Sequence, residues 1–287
     1  MAFFYFTLRR DYIKSVIHLT FLFLLLFVWS GSSYAGKARV INDKKLRLSQ
    51  KLFNEIEELS TILLEKCPPP KCKLIGIGRS VTPFYEYLKL VSPEAMLQVP
   101  LSRFTHTPYE ELANRSVYPL TEGQERSFKI HMDSFVKEQL SSDVERVLVF
   151  DFTATGETIY SFQEYFDRYI HAEKLIWDQD YLALVHHLGR FKRLASHQFF
   201  RNRGPMIHLS LTLFRELNSA LNTQDFDLVS EYKMYILYDE YEPPQKLNFK
   251  RDDREIFQDW LRRGISGEEL EHPSCFSKLV SAIFPRG

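Results

Sequence analysis

The chain has 287 residues, and its 37 Lys plus Arg balance 37 Asp plus Glu for a formal charge of zero. That balance excludes a strongly basic nucleic-acid surface as the protein's main working feature. Hydrophobic residues at 45%, charged residues at 26%, 11 Gly and 13 Pro exclude collagen, coiled coil and wholesale disorder, and 24 Phe with 15 Tyr point to an aromatic-rich interior.

Residues 1–35 place Arg9, Arg10 and Lys14 ahead of an apolar run from Val16 to Trp29, followed by the small-residue site Ser33-Tyr34-Ala35 before Gly36. This order is that of a secretory signal, and the run is shorter than the roughly 20 residues of a comfortable bilayer span. Cleavage after Ala35 is expected, which makes residues 36–287 an exported protein, periplasmic or secreted. The alternative is an uncleaved anchor, since His18 and Thr20 interrupt the run without ending it. The membrane is then met only through this segment. Loss of Arg9, Arg10, Lys14 and Asp11 leaves 34 basic against 36 acidic residues. Processing therefore exposes no basic patch, and no nucleic-acid partner is expected.

From Lys44 to Lys66, Leu48, Leu52, Phe53, Ile56, Leu59, Ile62 and Leu63 recur at helical spacing. The spacing Cys67-Pro68-Pro69-Pro70-Lys71-Cys72 then suggests a small disulfide loop in an exported chain, with Cys275 left over. A structural zinc site wants four ligands, and these cysteines have no nearby His to complete one. Lys73 to Gly78 reads as a buried strand, Pro83 to Leu90 as a helix, and Met96 to Leu101 as a second strand. Ser102 to Gly123 has no clear period and reads as a lid-like excursion. It contains the sequon Asn114-Arg115-Ser116. Glu125 to Leu140 returns to helical spacing.

Val147-Leu148-Val149-Phe150 is a continuous apolar run of the kind found in parallel strands buried on both faces, and it ends in Asp151. The turn Phe152-Thr153-Ala154-Thr155-Gly156-Glu157-Thr158 follows, and Ile159, Phe162, Tyr165 and Phe166 open a helix. A strand, a hydroxyl-rich turn and a helix start bring backbone N–H groups, a positive dipole end and Thr hydroxyls into one small volume, as a phosphate monoester requires. Asp180 to Phe200 and Leu209 to Leu221 read as helices, Tyr232 to Tyr238 as a late strand, and Asp252 to Arg263 and Ser274 to Phe284 as closing helices. Adjacent His186 and His187 point to different faces of a helix and suit packing or solvent better than a metal. His106, His131 and His197 converge on no common site.

Alternating strands and helices predict an α/β fold with a mostly parallel central sheet flanked by helices. The expected organisation is a signal at 1–35, an α/β domain at 36–245 and a C-terminal helical extension at 246–287. The boundary falls near Glu242-Pro243-Pro244-Gln245.

VLVFDFTATGETI at 147–159 resembles the phosphoribosyl-diphosphate signature of type I phosphoribosyltransferases, in which a buried strand delivers an acidic pair into a Thr-Gly-x-Thr loop. The resemblance implies that Thr153, Thr155, Gly156, Glu157 (through its backbone) and Thr158 hold the 5′-phosphate of the sugar. It makes Asp151 the catalytic acidic residue, contacting the ribose hydroxyls or assisting the departing base. The first acidic position is Phe150, whose ring cannot accept a hydrogen bond from a sugar hydroxyl. KLIGIGRSVTP at 73–83 looks like the family's diphosphate loop, which implies that Gly78, Arg79 and Ser80 contact the leaving diphosphate. Mg²⁺ enters only with a diphosphate ligand. The variable hood that takes the acceptor is expected in residues 102–124 or 180–210.

Three functions are compatible with these residues. One is an exported transferase moving a ribosyl phosphate to a nitrogen nucleophile. Another is a non-catalytic module binding a phosphorylated sugar or a nucleotide-like molecule, and the third is a protein-interaction domain on the same scaffold.

Overall fold

A computed structural model describes residues 39–41, 46–105, 119–153, 157–185, 206–210, 214–222, 226, 229–247, 252–268 and 270. Two compact units divide the chain, one of residues 40–270 and one of residues 1–39 with 271–287. The architecture below is that of the first. The expected signal at 1–35, the sequon at 114–116 and the expected helix at 274–284 lie outside the described residues.

Two short strands, β1 (Arg39–Ile41) and β2 (Leu46–Leu48), form a two-stranded sheet. Helix α1 (Gln50–Lys66) follows, starting later than its periodicity predicts. Leu46 and Leu48 alternate with exposed Arg47, a two-residue period that suits a strand, and Ser49 then caps the helix by accepting the Leu52 N–H at 3.1 Å. Cys67, the C-cap of α1, is disulfide-bonded to Cys72, the first residue of β3 (Cys72–Ile77). All six residues of β3 are buried.

Helix α2 (Thr82–Val91) carries Pro83 in its first turn, where a missing N–H costs nothing, and β4 (Met96–Val99) follows. Helix α3 (Glu122–Phe135) opens on a capping box: Thr121 Oγ1 accepts the Gln124 N–H, and Gln124 Oε1 accepts the Thr121 N–H, both at 3.1 Å. It passes through a 3₁₀ turn at Lys137–Gln139 into β5 (Arg146–Thr153), then α4 (Glu157–Glu173), β6 (Asp178–Val185), β7 (Met206–Ser210), α5 (Arg215–Asn222) and α6 (Asp252–Ile265).

Three expectations need correction. Residues 178–185 form β6, where a helix over 180–200 is expected from the sequence. Tyr181, Leu182, Ala183 and Leu184 are all buried, and a strand covered on both faces shows no alternation that separates it from a helix. Residues 206–210 are likewise strand β7, so the helix expected over 209–221 is confined to Arg215–Asn222. Tyr232 to Tyr238 forms no strand. It makes only isolated bridges, Leu101 with Tyr235 and Tyr232 with Lys246.

The main sheet has five strands in the order β4-β3-β5-β6-β7, every pair parallel. Relative to β3, the chain first steps outward to β4, then reverses past β3 to β5 and continues to β6 and β7. Right-handed crossovers require that reversal to put the connecting helices on opposite faces. One face carries α1, α2, α5 and α6 over Leu74, Leu148, Phe150, Leu182 and Leu184. The other carries α3 and α4 over Ile75, Ile77, Val149, Tyr181 and Ala183. No helix among the described residues is long and apolar enough to cross a membrane.

Buried ionic groups fix the helices of the first face. Glu55 of α1 accepts the N–H groups of Arg215 and Leu217 at 3.1 and 2.8 Å, which satisfies the start of α5. Fully buried Glu86 of α2 receives Arg254 Nη2 at 2.7 Å and Gln258 Nε2 at 2.7 Å from α6. Arg254 also reaches Glu231, which Lys89 and Lys246 approach at 3.1 Å each. Phe257, Trp260 and Leu261 place α6 in the core beside Phe53.

Removing Glu86 leaves Gln258 Nε2 without this acceptor and Arg254 with Glu231 alone. Glu86→Ala is expected to lower unfolding stability in a denaturant titration by about 3 kcal/mol, and the double change Glu86→Leu with Arg254→Met to recover most of that loss. A single substitution costing less than about 1 kcal/mol would show that the pair does not anchor α6.

Candidate functional site

Parallel strands open their carboxyl ends toward one edge, and ligands of open α/β sheets settle where the strand order reverses. Here that point lies between β3 and β5, which pair from Cys72 with Arg146 to Gly76 with Phe150. Residues 78–81 follow β3 at this switch point, and β5 ends beside them at Thr153.

The first loop turns at Gly78, which has φ +72°, a left-handed conformation that favours glycine. An added Cβ would also sit 2.8 Å from the Leu101 carbonyl oxygen. The Gly78 N–H donates to the Val99 carbonyl at 2.8 Å and the Thr82 N–H to the Arg79 carbonyl at 3.0 Å. Buried Gln98 of β4 braces the turn, donating from Nε2 to the Gly78 carbonyl at 2.8 Å and to Thr82 Oγ1 at 2.9 Å. Its Oε1 is buried without a partner. Half-buried Arg79 and Ser80 lie just ahead of the N-terminus of α2.

Asp151 lies within β5, opposite Ala183 of β6 and two residues before the strand ends. Its neighbours in sequence, Phe150 and Phe152, point into the α1–α2 side of the core, where the Phe150 ring meets Phe84 edge-on at a centroid distance of 6.1 Å. By alternation Asp151 faces the other way. It is buried, and Ser80 Oγ donates to its Oδ1 at 2.7 Å. Burial pushes the carboxyl up to about 7, although the hydrogen bonds from Ser80 and the Phe152 backbone N–H pull it down. Near neutral pH this group gives or takes a proton with little free-energy change, which is how candidate acid–base residues are recognised.

The structure brings Ser80 and Asp151 into direct contact and sets Gly78 and Arg79 beside them in the chain. Thr153 lies within β5, in register with Val185 and buried, so it belongs to the strand and not to the turn. Glu157 opens α4, and Thr158 is half-buried in its first turn. Thr155 and Gly156 lie outside the described residues. Gln98 and Thr82 were missed in the sequence reading. The available signal was a Gln inside the otherwise apolar strand Met-Leu-Gln-Val, because a buried amide is retained where it has partners.

Among the described residues no group of three or more His, Cys, Asp or Glu side chains could hold a metal ion. Comparison with protein-family models, with curated proteins and with solved structures gives no match.

The folded Asp151 carboxyl ionises near pH 7 and the unfolded one near its ordinary 3.8, so the folded state binds more protons between those values. Stability from this residue is therefore complete below about pH 4 and falls as pH rises toward 7, by up to about 1.4 kcal/mol per unit. Asp151→Asn, which can still accept from Ser80, is expected to remove that fall and to be the more stable protein at pH 8. Denaturant midpoints of both proteins across this range check it, and parallel curves would contradict it.

Proposed function

We propose that the cleft at the carboxyl ends of β3 and β5 binds a phosphorylated sugar of the phosphoribosyl-diphosphate kind, in an exported phosphoribosyltransferase-like protein. One observation carries the reading: Ser80 of the first motif donates to Asp151 of the second at the point where the strand order reverses. In the binding arrangement the 153–158 loop and the start of α4 hold the 5′-phosphate, with Thr155, Gly156, Glu157 and Thr158 as its donors. Gly78, Arg79 and Ser80 hold the diphosphate, Arg79 through its planar fork.

Mg²⁺ is compatible with this site as a ligand-borne ion. It favours phosphate oxygens and waters, so the diphosphate and its waters would hold it. When bound, the ion neutralises charge on the diphosphate. Asp151 supplies the proton acceptor if transfer occurs: a nitrogen nucleophile bonds to the anomeric carbon, the bond to diphosphate breaks, and the nucleophile's proton passes to the carboxylate.

Binding without transfer is favoured by a separate observation. Phe150, at the first acidic position, is fully buried against Phe84 and leaves one sugar hydroxyl without a carboxylate partner. The Cys67–Cys72 disulfide supports export, because such bonds persist in oxidising compartments.

Calorimetric titration with phosphoribosyl diphosphate and Mg²⁺ tests the proposal. Saturable heat is expected, with Thr155→Val weakening affinity at least tenfold and Asp151→Asn retaining binding. The absence of heat and of any thermal shift at millimolar ligand would overturn the binding role. Incubating the complex with nucleobase acceptors then separates the two readings: diphosphate release lost in Asp151→Asn marks an enzyme, and no release marks a binding module.

A further inference from the structure

His131 of α3 is completely buried, and neither ring nitrogen has a hydrogen-bond partner. Its ring is nearly parallel to that of Tyr235, with centroids 5.0 Å apart, and it meets Phe135 at 4.7 Å and Tyr241 at 6.1 Å. The Tyr235 hydroxyl is buried without a partner as well, and that of Tyr241 is buried beside Ser134 of α3. Stacking thus packs the segment 232–241 on α3 at a place where the His131 ring nitrogens and the Tyr235 hydroxyl make no bonds.

Away from the stack the segment is tied by hydrogen bonds. Tyr235 N–H donates to the Pro100 carbonyl at 2.9 Å, and Ser102 N–H donates to the Tyr235 carbonyl at 2.8 Å. Thr121 Oγ1 donates to Asp239, and Ser127 Oγ to the Asp239 carbonyl at 3.3 Å. Leu101, between the two residues that bond Tyr235, is the residue whose carbonyl crowds Gly78.

We infer that His131 is a proton-operated latch: neutral, it holds the 232–241 strap closed over α3, and protonated, it releases the strap and with it the Pro100–Ser102 segment that supports the Gly78 turn. An imidazolium in this stack would have two N–H donors and no acceptor, so opening to water is its escape. The groups around it offer no compensation. From the strap, Tyr235 and Tyr241 present rings, and burial pushes the Tyr241 hydroxyl up, so it stays neutral. Asp239 is engaged by Thr121. From α3 the near ring is Phe135, while Asp133 accepts from Tyr169 of α4 at 2.8 Å and pairs with Lys129 at 3.0 Å. Burial moves the imidazole, pushing it from 6.5 down to about 3. The folded pKa lies below the free one, so the closed state is fully favoured above about pH 6.5 and loses ground as pH falls toward 3.

The inference stands whether or not the neighbouring cleft binds a phosphate ester, and its test uses no ligand. Hydrogen exchange of the Tyr235 and Ser102 amides, corrected for intrinsic rates, is compared at about pH 7.5 and about pH 4.5, with amides of β5 as the control. A free imidazole two units above the lower pH predicts about a 100-fold loss of protection at the strap, no comparable loss in β5, and no pH dependence at the strap in His131→Phe or in the smaller His131→Gln. The latch is overturned by unchanged strap protection in the wild type, by equal loss in β5, or by the same dependence in either variant that folds.

Discussion

The pairing of β3 with β5 is the constraint on which the rest of the structure depends. Because the chain visits β4 before crossing back to β5, the carboxyl ends of β3 and β5 become neighbours although Gly78 and Asp151 are far apart in sequence. Both strands are apolar on both faces, so they are stable only with helices above and below, and the reversal supplies those helices on opposite sides. At that junction Ser80 Oγ donates to Asp151 Oδ1, and the carboxyl lies in a dry environment.

That dry carboxyl costs stability at neutral pH. Buried polar pairs elsewhere fix the helices around it. Glu86 with Arg254 and Gln258, and Glu55 on the start of α5, tie helices that are distant in sequence to α1 and α2. These ties hold the helix whose N-terminus faces the cleft. Gln98 does the same from the neighbouring strand by gripping both ends of the Gly78 turn.

Much of the architecture is legible in local pattern. Helices with one apolar stripe, such as α1 and α4, and strands bounded by turn residues, such as β3 and β5, announce themselves through period and punctuation. β6 does not, because Tyr181, Leu182, Ala183 and Leu184 are covered on both faces, and a run of this kind has no alternation to read. The segment 232–238 misleads in the opposite sense. Its Tyr and Leu spacing is that of a strand, yet its apolar rings pack on α3 and its backbone bonds go to the Pro100–Ser102 turn instead of a ladder.

The sequence by itself determined the class of fold and suggested the Cys67–Cys72 loop, because period, punctuation and cysteine spacing are local. It identified Asp151 as an acid at a strand end, and Phe150 as the apolar residue beside it, by the same local logic. Only the tertiary structure decided that Ser80 is the residue that touches Asp151, that Gln98 braces the turn, and that His131 lies sealed beneath the strap. Each of those facts is a contact between segments tens of residues apart, set by strand order and by which face a residue presents once the sheet has closed.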